Sequence, residues 1–177
     1  LRSLIPAAVV ARRADAIRAV GFAFGFLMLS AALAAAEEPI KWTVSISGGS
    51  KIEIPVFFAK GDGRLLGGFA DNHGQTFDPI GYPDAELRQY RAGDNKMSPF
   101  EYLKQAIVGD ADKVTYKLDR PSLAAVSGTS ADGKAIFYGM CQKRRTITCF
   151  DMVWNKKDQA TFGPIAERIA RSFRKNR

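Results

Sequence analysis

Cys141 and Cys149 are the only cysteines in this 177-residue chain, and their neighbours dictate how they meet. If the two lie opposite one another in an antiparallel hairpin, Met140 faces Phe150, Tyr138 faces Met152 and Ile136 faces Trp154. Every pair on that side is then apolar. A slip of one residue would turn the apolar side of one strand against the mixed side of the other. Directly opposed residues of an antiparallel pair also meet the Cα separation that a disulfide requires. Core pattern and thiol spacing thus choose one register, and the sequence predicts a hairpin stapled by Cys141–Cys149. A redox motif would use the C-x-x-C spacing, and His73, the sole histidine, is remote from both thiols.

A disulfide implies an oxidising compartment, and the N-terminus agrees. Arg2, Arg12, Arg13 and Arg18 precede an apolar run from Val20 to Leu33, which ends in Ala34-Ala35-Ala36 before Glu37. A positive start, a short apolar middle and small residues at the cleavage positions define a secretory signal peptide. The run is 14 residues long, whereas a bilayer-spanning helix takes about 20. Asp15 sits where a twin-arginine signal places an apolar residue, and the absence of cysteine before Cys141 excludes a lipoprotein anchor at the cleavage site. The expectation is a signal peptide over 1–36 and a single domain over 37–177, periplasmic or secreted, with no integral membrane span in the mature chain.

The domain alternates short apolar patterns with turn chemistry. Trp42, Val44 and Ile46 precede Gly48-Gly49-Ser50, and Ile52 and Ile54 follow, which reads as a hairpin. Residues 61–74, with Gly61, Gly63, Gly67, Gly68 and Gly74, read as a long loop. Gln75–Phe77 and Ala85–Arg91 read as strands. Ser98 and Glu101 form a capping box with Pro99 at the first helical position, starting a helix that ends at Gly109. Val114, Tyr116 and Leu118 predict a strand buried on one face, and Leu123–Ser127 returns. Asp132-Gly133 turns into the stapled hairpin. Ile165, Ile169 and Phe173 mark a closing helix that opens near Pro164. Strands, helix, strands, helix with no βαβ rhythm predict an α+β domain, an antiparallel sheet covered by two helices.

The stretch VTYKLDRPSLAAVSGTSADGKAIFY, then Cys141, Cys149, FDMVW and IAERIARSF, resembles a family of small uncharacterised exported bacterial proteins. The earlier IEIPVFF and GQTF resemble that family's first strand and following turn, so the likeness covers residues 51–174. At fold level the family resembles the PsbP-like α+β sandwich. Asn155-Lys156-Lys157 departs from it, where a Tyr-Pro pair is expected. The resemblance implies a fold and carries no catalytic residues.

Chemistry-bearing motifs are sparse. One histidine and two cysteines are too few for a zinc finger or an iron–sulfur cluster, and neither phosphate-loop pattern occurs. No cofactor and no metal are expected, and no catalytic residue is assigned. The remaining signal is basic: the chain carries a net charge of +8. Lys143-Arg144-Arg145 crowns the stapled hairpin, and Arg171, Arg174 and Lys175 lie at the end of the closing helix. Export argues against nucleic acid as partner. These six cations instead point to an anionic envelope component: lipid headgroups, lipopolysaccharide or acidic polysaccharide. The competing reading is that they are solvated ends that complement a helix dipole. The expected function is a non-catalytic binding or accessory module. Two alternatives stand beside it: a small periplasmic hydrolase using His73 or a carboxylate pair in the 61–74 loop, and an assembly partner docking through a sheet edge.

Overall fold

The computed structural model describes residues 39–62, 74–91 and 96–175. The segment read as a signal peptide, and His73 with most of the 61–74 loop, lie outside the described residues. The strands are β1 (Trp42–Ser47), β2 (Ser50–Pro55), β3 (Phe58–Lys60), β4 (Gly74–Pro79), β5 (Glu86–Arg91), β6 (Lys113–Arg120), β7 (Leu123–Thr129), β8 (Ala135–Lys143), β9 (Ile147–Asn155) and β10 (Arg174–Lys175). Helix α1 (Pro99–Ile107) lies between β5 and β6, and α2 (Gln159–Ser172) between β9 and β10. A seven-stranded antiparallel sheet runs in the order β3-β4-β5-β9-β8-β7-β6, and a three-stranded one in the order β1-β2-β10. The chain is α+β.

The stapled hairpin forms in the expected register: Cys141 opposes Cys149, Met140 Phe150, Tyr138 Met152 and Ile136 Trp154. Successive side chains of a strand point to opposite faces, so β9 divides the core in two. Phe150, Met152 and Trp154 point to the side covered by α2 and the small sheet, where they pack with Ile52, Ile54, Leu87, Phe162, Ile165 and Ile169. Ile147, Cys149 and Asp151 point the other way. There α1 lays Leu103 against Tyr90, Val126, Phe137 and the disulfide. Gly139 permits that approach: a Cβ there would lie 2.6 Å from Ile107 Cδ1 and 2.7 Å from Leu103 Cδ1.

Helix α1 begins as its sequence dictates. Glu101 N–H donates to Ser98 Oγ (3.1 Å), and Ser98 N–H donates to the Glu101 carboxylate (2.9 Å). These bonds hold the Glu101 carboxyl below its usual range. Three other expectations need correction. Strand β6 is exposed along nearly its whole length, with only Leu118 half-buried, because it is the sheet's outer strand and a register shift at Thr115 bends it. Helix α2 opens at Gln159, well before Pro164, which lies inside it on the exposed side. A short 3₁₀ turn at Lys156–Asp158, with Asn155 Oδ1 accepting from Lys157 N–H (3.1 Å), makes the handover from β9 and lets Phe162 enter the core. Finally, Arg174 and Lys175 do not extend the helix. It ends at Ser172, and they form β10, paired with Lys51 and Ser50 of β2.

Candidate functional site

Beyond the Cys141–Cys149 bond (S–S 2.02 Å, Cα–Cα 4.1 Å) the hairpin closes through Lys143 opposite Ile147. Arg144 N–H donates to Thr146 O (3.3 Å) to shape the tip. Both sulfur-bearing residues are fully buried, so the staple sits in the core and the tip it supports stands in solvent. Lys143 lends its ammonium to Met97 O (2.9 Å), while Arg144 and Arg145 are exposed.

The topology adds cations from distant parts of the chain to this end. Lys143 N–H donates to Ser122 O (2.9 Å), which brings in the β6–β7 turn with exposed Arg120. Gln142 Nε2 donates to Phe173 O (3.3 Å), which brings in β10 with Arg174 and Lys175. Arg174 pairs with Lys51, and Arg91 ends β5 opposite Thr148. The β1–β2 turn closes here too. Gly48, at φ 53°, abuts the Tyr90–Arg91 backbone, leaving no room for a side chain. At the opposite end of the sheet, Lys134, Lys156 and Lys157 are interspersed with Asp84, Asp132 and Asp158. Lys157 lies 3.8 Å from Asp84, and Lys134 3.7 Å from Asp132.

Five of the six cations singled out in the sequence therefore share one end, and Arg171 does not join them. Its guanidinium lies 3.7 Å from Glu167 on the exposed side of α2. There it borders a groove of about 390 Å3 between α2 and strands β6–β8. Tyr116, Ile136, Tyr138 and Ala170 line its walls, and Trp154, 2% exposed, forms the floor with its indole N–H donated to Gln159 Oε1 (2.9 Å). Burial raises the Tyr138 hydroxyl pKa, and Tyr116 and Glu167 push it the same way. Lys51, Arg91 and Arg120 were not legible as members of the basic end, because only long-range pairing brings them there.

Carboxylates meet elsewhere. Asp78 and fully buried Glu86 line a cavity of about 220 Å3 with Tyr82 and Ala85, beside the described start of the 61–74 loop at Gly61. On the α1 side of the sheet, Arg88 grips Asp151 through two bonds of 2.8 Å, Nε to Oδ1 and Nη2 to Oδ2. Tyr90 donates its hydroxyl to Asp151 Oδ2 (2.7 Å), and Arg88 Nη2 also reaches Ala106 O of α1 (3.2 Å). Burial pushes the Asp151 carboxyl up, against the pull of Arg88 and Tyr90. Burial also opposes the Arg88 charge, but Asp151 prevails and raises that group. Burial, then the Asp151 charge, hold the Tyr90 hydroxyl well above its ordinary value. The bonds from Arg88 to Asp151 and to Ala106 O tie β5, β9 and α1 together, so the cluster braces the sheet against α1. Among the described residues, no group of three or more His, Cys, Asp or Glu is placed to hold a metal ion. No helix among them is long and apolar enough to cross a membrane.

The architecture belongs to the PsbP-like α+β class. The solution structure of cyanobacterial PsbP (CyanoP) from Synechocystis sp. PCC 6803 matches with a TM-score of 0.55 at 11% identity, over 84% of this chain and 99% of that one. At that identity the likeness is one of fold. No family model matches the chain, and no curated protein matches it in sequence.

Proposed function

We propose that the chain is an exported accessory module, periplasmic or secreted, that binds an anionic component of the cell envelope through its basic end. Residues 1–36 are its signal peptide and residues 37–177 its working domain. One observation carries the reading: Lys51, Arg91, Arg120, Lys143, Arg144, Arg145, Arg174 and Lys175, from separate segments, converge on one end behind a buried disulfide. Clustered cations raise the local potential and attract anions. The staple removes the freedom that a long basic loop would lose on binding.

Retention of the purified chain on anionic vesicles tests the reading. Binding should fall steeply between about 0.05 M and about 0.5 M salt, because the screening length shrinks below the span of the cation cluster. Each cation near an anionic surface is worth about 1 kcal/mol. Replacing Arg144 and Arg145 by Gln should therefore weaken binding by about 2 kcal/mol at low salt. Weak binding that ignores salt contradicts the proposal.

A further inference from the structure

We infer that the anionic component is a lipid bilayer surface, docked by the basic end together with the outward side of β1; this rests on the reading above and names its partner. The argument begins with an inverted strand. In WTVSIS the apolar residues alternate with hydroxyls, and an ordinary half-buried strand turns its apolar side to the core. Here only Trp42 packs against the core, and for Val44 and Ile46 the reverse holds. Val44 is opposite Glu53 and Ile46 opposite Lys51 on the outward side, while Ser45 lies opposite buried Ile52 on the inner side.

The cause is Gln89, fully buried on β5. Its amide nitrogen donates to Ser50 O (2.8 Å) and Ser50 Oγ (3.1 Å), and its oxygen accepts from Ser45 Oγ (2.6 Å). Satisfying that buried amide requires the hydroxyl side of β1 to face inward. Val44 and Ile46 are left 48% and 60% exposed. Trp42, two residues earlier, is sheltered by the Arg168 guanidinium 4.1 Å from its ring, and Arg168 also bonds Glu53. The uncovered part of the stripe is thus the part nearest the Gly48–Gly49 turn, at the basic end. Ile46, Lys51 and Arg174 lie on one rung across the three-stranded sheet.

An acidic polysaccharide would engage the cations and leave Val44 and Ile46 wet. A bilayer offers anionic headgroups and, immediately beneath them, an apolar phase, so aliphatic side chains beside cations match it in both respects. Of the other exposed aliphatics, Ile40, Val56, Ile80 and Val114, Val56 and Ile80 lie in turns away from the basic end and supply an internal control.

The test measures sedimentation of the purified exported chain with phosphatidylglycerol-containing vesicles and, separately, its binding to soluble polyphosphate. Val44→Thr with Ile46→Thr keeps β-branched residues and should lower vesicle partitioning about tenfold while polyphosphate binding stays as in the parent. Arg144→Gln with Arg145→Gln should lower both, and Ile80→Thr should lower neither. Ile46→Trp supplies a readout that needs no loss of function: its emission should shift to the blue on anionic vesicles and not with polyphosphate. Vesicle binding unaffected by the Val44/Ile46 change, or an Ile46→Trp emission that does not move, overturns the bilayer while leaving anion binding intact. If the Arg144/Arg145 change weakens neither binding, the basic-end reading falls, and the inference with it.

Discussion

The two faces of the seven-stranded sheet are built on different physics. The face under α2 is a volume-filling core in which Phe150, Met152, Trp154 and Phe162 interlock, with the Trp154–Phe162 rings 6.4 Å apart. The face under α1 has a disulfide, a bidentate ion pair and a tyrosine hydroxyl buried beside Leu103 and Phe137. Apolar packing tolerates exchange of similar volumes, whereas a buried ionic cluster fails when one member goes. The α1 face is therefore the brittle one and the α2 face the forgiving one.

The sharpest way to break this contrast is to compare neighbours on β9. Asp151→Ala takes the bidentate partner from the Arg88 guanidinium and the acceptor from the Tyr90 hydroxyl, and should cost about 3–5 kcal/mol. Met152→Leu, one residue on and facing α2, should cost less than about 1.5 kcal/mol. Denaturant unfolding of both decides it, and equal losses would erase the distinction. The double change Arg88→Met with Asp151→Leu should recover most of the loss, since it is the orphaned charge that costs.

A smaller effect belongs to the staple. Cys149→Ala should lower stability by about 2–3 kcal/mol through the lost loop closure, and the fold should survive, because both cores remain. Thermal melting with and without reductant measures it. A parent chain whose melting ignores reductant would show that the bond contributes nothing to the α1 face.

The smallest effect is a pH signature. The buried Tyr90 hydroxyl is raised above its ordinary value, so the unfolded chain releases that proton first. Its contribution is whole below about pH 10 and declines as pH rises toward the folded value, by at most about 1.4 kcal/mol per pH unit. Tyr90→Phe should cost about 1–2 kcal/mol at pH 8 through the lost bond to Asp151, and that deficit should narrow above pH 10. A deficit constant from pH 8 to pH 11 would show that Tyr90 is not sealed in.

What the sequence disclosed follows a division by range. The staple register, the Ser98–Glu101 box and the Asp132-Gly133 turn were legible because their partners lie within a few residues or across one hairpin. The PsbP-like architecture was legible as a resemblance carried by residues 51–174. The outward turn of Val44 and Ile46 was not, since it is decided by Gln89, 44 residues from Ser45. The early opening of α2 was masked by Pro164, which reads as a helix start and lies instead on an exposed helical side. Lys143, Arg144 and Arg145 announced themselves as a run. Arg120 and Lys51 joined them only through strand pairing.

Strand β10 has a consequence for the order in which the molecule is completed. It adds Arg174 and Lys175 to β2, whose Ile52 and Ile54 pack among Ile165, Ile169 and Phe173. A polypeptide that emerges amino end first therefore makes its β1–β2 hairpin long before the last of the segments that shelter it. The core around Ile52 and Ile54 is therefore closed last by the C-terminal segment, so removal of residues from Phe162 onward should leave it open to solvent.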